Sequence, residues 1–409
     1  MVSRKQTGTA LVAAGVVVFA VALVVSAALA PAIGAAGGDD GASRETLVGS
    51  QGGGAGLHEK GSVYHLSGNQ TSWRLADADS YFDVTQLDNG TVLAGFMDSG
   101  YEDCGPYESP CVHTGFRMIE PGPDPRVVGE FSFPVRTRKN SEVHDVELLP
   151  SGEFLVTDME HERIFTVRGG EITWQWNASE RYEAPEDPTR VDWLHINDVD
   201  HIGEDRYLVS VRNANELVIV ERGEGVVEVI NEGGDPSVLK RQHNPQWLGE
   251  GAVLVADSEN NRIVELHRNE AGEWTVAWEL RRAEGVDFSW PRDADRLPNG
   301  NTLITDSANQ RLVEVNQSGA TVWSYGTPLI PYEAEHLPEG ETVGAPLYNP
   351  PAGYEGPAEG GEVPVLSFLL QALQTSYPLP FWVDEWHLAL GLVCLGSVLT
   401  GGYLRFDER

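Results

Sequence analysis

The sequence predicts an all-β fold, a six-bladed β-propeller with N- and C-terminal transmembrane helices. Three observations predict it. A four-strand pattern recurs along the middle of the chain, two fragments near its ends complete one another, and two long runs are apolar. The recurrence shows when "HDVELLPSGEFLVTDMEHERIFTV" (144–167) is set against "RDADRLPNGNTLITDSANQRLVEV" (292–315). The stretches 82–100, 197–220 and 244–266 follow the same plan. Each reads as a short strand, a turn bearing Asn-Gly, Ser-Gly or Glu-Asp, an apolar strand, a polar turn and another strand. A fourth strand follows in most copies, as in "EITWQW" (171–176) and "ATVWSY" (320–325). The equivalent starts are Asp83, Asp145, Asp198, Pro245 and Asp293. They recur roughly every 50 residues, the length of one four-stranded blade.

Five blades are plain, and the ends supply a sixth. "YEAEHLPEGETVGA" (332–345) repeats the inner half of "RDADRLPNGNTLIT", and "GSVYHLSGNQTSWRL" (61–75) repeats the outer half. One blade built from both ends closes the ring and leaves no open sheet edge. A five-bladed ring with decorative ends is the alternative.

The segments follow in order. Residues 1–30 hold an uncharged run at 8–30, long enough to cross a bilayer as an anchor and also readable as an export signal. Arg4 and Lys5 precede it and place the N-terminus in the cytoplasm. Residues 31–56 are Gly-rich and read as a flexible linker. The propeller spans 57–345. Residues 346–380 read as a Pro/Gly-rich linker followed by a short amphipathic helix. Residues 381–404 form the second transmembrane helix. The propeller is thus expected on the extracellular side of a cell membrane. Cys104 and Cys111 enclose a short loop and suit either a disulfide or two thiols. Sequons at Asn69, Asn89, Asn177 and Asn316 are compatible with export.

Acidic residues number 62 against 28 basic ones, a formal net charge of −34. Such a surface repels nucleic acid and excludes a DNA or RNA partner. The acids are spread over every segment and lysine is nearly absent, a composition suited to hydration in concentrated salt. We read a halophilic protein.

Three histidines stand just ahead of inner strands in consecutive repeats: His144, His195 with Asn197, and His243 with Asn244. Arg292 takes that place in the next repeat. In a propeller these positions converge where the central channel opens, so residues far apart in sequence share one funnel. Three histidines can hold zinc, but there is no H-E-x-x-H or close ligand pair, and Asn and Arg neighbours suit an anion better.

"WLHINDVD" (193–200), "SVRNANELVIV" (210–220), "EVHDVELLPSGEFLV" (142–156) and "RQHNPQWLGEGAVLVADSENNRIVEL" (241–266) together resemble the arylsulfotransferase family, aryl-sulfate sulfotransferases built on six-bladed propellers. The resemblance covers roughly residues 60–345. It implies that His243 is a nucleophile that accepts the sulfuryl group. It also implies that His195, His144 and Arg212 are further catalytic groups and that Asn197 binds substrate. It implies small aromatic sulfate and phenol substrates and no cofactor. Asn244 and Arg292, at the repeat position where the channel opens, are expected to bind substrate as well. Asn244 departs from the family's aspartate. An asparagine carbonyl there is expected to orient the His243 ring more weakly. The family's large N-terminal domain is replaced by 31–60, and a C-terminal membrane segment is added. A non-catalytic cell-surface propeller and a metal- or lactone-type hydrolase remain the alternatives, because one fold hosts many functions.

Overall fold

The computed structural model of the protein describes residues 3–30, 44–53, 57–348, 364–377 and 379–406. The chain divides into two units, residues 33–358 and a terminal unit of 1–32 with 359–409.

The larger unit is a six-bladed propeller, each blade a four-stranded antiparallel sheet. Blades are numbered here in chain order from inner to outer strand. Blade 1 comprises Ser80–Gln86, Val92–Tyr101, Cys111–Glu120 and Arg126–Val135. Blade 2 comprises Val146–Leu148, Phe154–Asp158, Arg163–Arg168 and Glu171–Asn177. Blade 3 comprises Ile196–Gly203, Arg206–Val211, Glu216–Glu221 and Gly225–Ile230. Blade 4 comprises His243–Gly249, Ala252–Asp257, Arg262–Arg268 and Trp274–Leu280. Blade 5 comprises Pro291–Arg296, Thr302–Asp306, Arg311–Val315 and Thr321–Gly326.

Blade 6 closes the ring, with one correction to the expected boundaries. Its strands are Ile330–Leu337, then Glu45–Gly52, Gly61–Ser67 and Gln70–Ala78. The second strand therefore comes from Glu45–Gly52, which the sequence placed in the flexible linker, and residues 342–345 form no strand. The reason is steric. A side chain at Gly49 would run into the Phe82 carbonyl oxygen of blade 1, so this strand must carry small residues where blades meet. The rest of the expected 31–56 linker falls mostly outside the described residues, as does most of the Pro/Gly-rich part of 346–380. Tyr348, expected in that linker, is buried, its ring against Trp278 and beneath the Arg296 guanidinium.

Apolar residues of facing blades interlock, as in the cluster of Leu155, Ile164, Val199, Val209 and Val218 between blades 2 and 3. Three blades share an ion pair, its carboxylate buried in each, that their repeat "D-x-x-x-x-R" encodes. Asp158 meets Arg163 at 2.8 Å, Asp257 meets Arg262 at 2.7 Å and Asp306 meets Arg311 at 2.7 Å. Each clamps the end of the second strand to the start of the third. Cys104 and Cys111 form a disulfide.

The inner strands are tied to one another by side chains. Asp83 accepts from the Val146 N–H of the next blade at 3.2 Å, and Asp145 from Val199 at 2.6 Å. Asp293 accepts from Ala334 at 3.1 Å, and Glu333 from Val84 at 3.5 Å. Blade 4 has Pro245 at this place and no carboxylate; there Gln246 accepts from the Arg296 N–H at 2.6 Å instead. The channel wall is thus a ring of carboxyl groups, and burial together with mutual repulsion raises their pKa values. Asp145 and Asp293 reach about 7 and Glu147 about 8, while Asp83, Asp198, Asp200, Asp295 and Glu333 are also shifted well upward.

The terminal unit comprises helices α1 (Arg4–Leu29), α2 (Pro364–Ser376) and α3 (Glu385–Phe406). α1 and α3 are each long and apolar enough to cross a membrane. They pack antiparallel through glycines, Gly8 against the Gly401 backbone and Gly15 against that of Cys394. At the far end His387 Nε2 meets Ser26 Oγ at 2.8 Å. The start of α1 and the end of α3 therefore lie at the same end of this helix pair.

Candidate functional site

Five of the six inner strands carry a β-bulge at or beside the residue that precedes the ring of carboxyl groups. The bulged residues are Phe82 (with Asp83), Asn197, Asn244, Arg292 and Tyr332. In blade 2, His144 stands just before the strand begins. A bulge frees one residue from the ladder and re-aims its side chain. These six side chains surround the channel mouth. His144 stacks on Tyr332 with centroids 5.3 Å apart and meets Phe82 edge-on at 5.1 Å. Arg292 lies over Tyr332 at 4.6 Å, and the Tyr332 hydroxyl donates to the Asn197 carbonyl at 3.4 Å.

His195 and His243 enter from the loops above. His195 has φ +55°, a conformation rare for a residue with a side chain. Glu162 holds it there by accepting the N–H groups of Leu194, His195 and Ile196 at 2.8, 2.8 and 3.0 Å. The His195 ring stacks on His144 at 5.3 Å, and its Nδ1 donates to Asp192 at 2.7 Å. His243 is buried edge-on to Trp290 at 6.1 Å and to Tyr332 at 6.2 Å. Its Nδ1 meets Ser258 Oγ at 2.8 Å. His144, His195 and His243, expected in one funnel, are therefore joined by ring contacts.

The charges fit that grouping. Arg212 Nη1 donates to Asn213 at 2.8 Å and Nη2 lies 3.8 Å from Glu259, while Nε has no partner among the described residues. Burial lowers the pKa of all three histidines, and the Arg212 charge adds to it: His144 falls to about 3, His195 falls, and His243 falls well below the usual imidazole value. All three rings are neutral at pH 7. Glu142 accepts from His58 Nε2 at 3.1 Å; burial opposes its ionisation, but the hydrogen bond from His58 and the neighbouring imidazoles outweigh burial and hold it at about 2.

Two expected roles change in detail. Arg292 keeps its charge in the funnel, but its donors are engaged by Ser307 Oγ (3.2 Å), Gln51 Oε1 and the Pro331 carbonyl (3.2 Å). Asn244 turns from His243 and donates to Glu333 at 3.1 Å, so Ser258 is what meets the His243 ring. Asn197 Nδ2 donates to the Gln242 carbonyl at 2.9 Å, tying blade 3 to blade 4.

Sequence reasoning missed Ser258, Trp290, Tyr332 and Asp192. A signal existed for Ser258: in the repeat alignment it stands where Arg212 stands, first after the second strand. Trp290 Nε1 and His144 Nδ1 are buried donor-capable atoms without a partner among the described residues. With Arg212 Nε they offer three unsatisfied groups among the residues of the funnel, a set suited to a bound oxyanion. Among the described residues no three His, Cys, Asp or Glu side chains are arranged to hold a metal ion.

Fold and site together define a six-bladed propeller with a histidine- and arginine-lined funnel. Residues 177–327 match the model of the family described as arylsulfotransferase (ASST), a stretch that holds His195, Asn197, Arg212, His243, Asn244 and Arg292. No curated protein matches the chain. Among solved structures it is similar to a protein of unknown function from Bacteroides caccae, at 16% identity over 71% of this chain and 98% of that one, with a TM-score of 0.50. It is also similar to a periplasmic gluconolactonase of Pseudomonas aeruginosa, at 12% identity over 72% and 99% of the two chains, with a TM-score of 0.44. At such identities the first of these likenesses speaks to the fold alone.

Proposed function

We propose that this protein is an extracytoplasmic, membrane-anchored arylsulfotransferase that moves a sulfuryl group from an aryl sulfate to a phenol through a sulfohistidine. The observation that carries the reading is His243. It is neutral, buried and mounted at the channel mouth, where the Arg212 charge acts on it and Arg212 Nε has no partner among the described residues. The family match over 177–327 supports the same reading. Sulfuryl transfer, like phosphoryl transfer, asks a protein mainly to position groups and stabilise charge on three oxygens. Arg212 Nε and Trp290 Nε1 are the donors suited to those oxygens.

In the first step the His243 Nε2 lone pair forms an N–S bond as the S–O bond of the aryl ester breaks, and the phenolate leaves. In the second step the acceptor phenol attacks sulfur and the N–S bond breaks. Neutral His195 takes the phenol proton, with Asp192 stabilising the imidazolium that forms. His195 then releases that proton to solvent or to the departed phenolate, which balances the cycle. Tyr332, Phe82 and Trp290 give aromatic substrates rings to stack on. The acidic surface and the apolar helices α1 and α3 support a halophilic, membrane-held setting.

The test is an assay of the full-length protein in detergent and high salt, with a chromogenic aryl sulfate and a phenol acceptor. Transfer, a sulfuryl adduct on His243 by mass spectrometry, and loss of both in His243→Ala are expected. Wild-type turnover equal to His243→Ala, with no adduct, would leave a non-catalytic binding module.

A further inference from the structure

We infer that Ser258 is a positioning residue for His243: it fixes the ring in the tautomer that carries hydrogen on Nδ1 and leaves Nε2 bare. The use of that bare nitrogen in catalysis rests on the function proposed above, but the tautomer does not.

Ser258 Oγ lies 2.8 Å from His243 Nδ1 and 3.2 Å from the Ala256 carbonyl oxygen. A hydroxyl has one hydrogen to give and lone pairs to receive. The carbonyl can only accept, so that hydrogen goes to Ala256. The remaining lone pair faces Nδ1, and Nδ1 must then be the donor. The neighbouring blade repeats the relation. There Ser307, first after its second strand as Ser258 is after its own, lies 3.2 Å from Arg292 Nε. A guanidinium can only donate, so that serine is an acceptor. Serine at this repeat position thus receives a hydrogen bond from the funnel residue of its own blade.

Burial makes the contact rigid. Ser258 is fully buried and His243 is 3% exposed. The two are held by the pairing of the inner and second strands of blade 4, in which His243 faces Ala256. A neutral acceptor also differs in consequence from the carboxylate that holds His195. Asp192 stabilises an imidazolium, whereas a hydroxyl orients the ring without favouring its charged form. His243 is therefore kept as a neutral nucleophile, and His195 is equipped to accept a proton. Two histidines of one funnel are given different tasks by their second ring nitrogen.

The experiment uses full-length protein labelled with 15N at histidine, with His243 assigned by difference from His243→Gln. Nitrogen NMR at pH 7.5 reads the tautomer without substrate. Wild type is expected to show protonated Nδ1, and Ser258→Ala a mixture or the Nε2–H form. Ser258→Thr, which keeps the hydroxyl, is expected to restore the wild-type pattern. Ser258→Cys, close in size but a poor acceptor, is expected to behave like Ser258→Ala, and it guards against a packing defect in the latter. With substrate, Ser258→Ala should lower kcat by about 10- to 100-fold with KM little changed, less than the ~10⁴ lost when a carboxylate orienter is removed from a triad histidine. An Nδ1–H tautomer that persists in Ser258→Ala and Ser258→Cys would overturn the inference. So would a wild type already protonated on Nε2. A wild type with the expected tautomer, lost in Ser258→Ala, but with no sulfuryl transfer would keep the positioning role and refute the function.

Discussion

Asn244 donates to Glu333 at 3.1 Å, so the residue next to the candidate nucleophile is tied to blade 6 and not to the histidine beside it. Asn244→Asp would set a second carboxylate against Glu333, which burial and Asp83 already push toward its protonated form. The variant is expected to lose stability rather than gain rate. Leaving one buried acceptor facing another costs about 1–3 kcal/mol, more when both are charged. Thermal unfolding beside the transfer assay measures both effects. A faster enzyme at unchanged stability would return the orienting role to position 244.

Arg212 touches Asn213 and Glu259 with two nitrogens, and its third, Nε, has no partner among the described residues. Lysine supplies a point charge and cannot hold Asn213 while reaching into the funnel. Arg212→Lys is expected to lower kcat/KM by on the order of 10²–10³ with little change in Tm, as for other oxyanion donors. A loss of less than threefold would remove Arg212 from the list of groups that meet the sulfuryl oxygens.

Ring closure has a single-residue test. Gly49 sits in the second strand of blade 6 with its Cα against the Phe82 carbonyl of blade 1. Gly49→Ala must push the two blades apart. Overpacking of this kind costs typically 1–3 kcal/mol. At this junction it should also lower transfer, because Phe82 borders the funnel. Gly90→Ala, at a turn where an added methyl would meet nothing, is the control, although its φ of +83° adds local strain. Equal Tm values for wild type and Gly49→Ala would mean that blade 6 does not close on blade 1 in this way.

The architecture was legible where apolar alternation and turn residues recur, as in 144–167 and 292–315. It failed at Glu45–Gly52. "ETLVGSQG" has few apolar residues and two glycines, the composition of a linker. It is nonetheless a nearly fully buried strand, because neighbouring backbone leaves no room for larger side chains. The histidines could be placed in one funnel because repeat positions converge, and Arg212 only through the family resemblance. Their partners could not be read. Whether Asn244 or Ser258 meets His243 depends on a one-residue bulge, which no pattern of residue types announces. Trp290 looked like any other tryptophan until its left-handed backbone, φ +50°, turned it toward His243.

The ring of carboxyl groups makes stability depend on pH in a stated direction. Asp145, Asp293 and Glu335 are raised to about 7 and Glu147 to about 8, chiefly by burial, from ordinary values near 4. The folded state therefore binds more protons than the unfolded chain between about pH 4 and 8. Stability falls as pH rises through that window. The three funnel histidines act oppositely, because their folded pKa values are depressed. Their effect ends near pH 6.5, above which they are largely neutral in both states. His161, raised by its hydrogen bond to Asp158, adds to the carboxylate trend. From pH 6.5 to 8.5 the Tm is thus expected to drop by about 5 °C or more, since 1 kcal/mol shifts Tm by roughly 2–4 °C in a domain of 150–250 residues. Glu147→Gln isolates one contribution. Its amide oxygen can still accept from the His201 N–H, as the Glu147 carboxylate does at 3.0 Å, but it cannot ionise. The variant should be more stable than wild type at pH 8.5, nearly equal at pH 5, and shallower in its pH dependence. Differential scanning calorimetry at fixed high salt measures all three. A wild-type Tm that is flat or rising from pH 6.5 to 8.5 would show that these carboxyl groups are not held protonated by the channel.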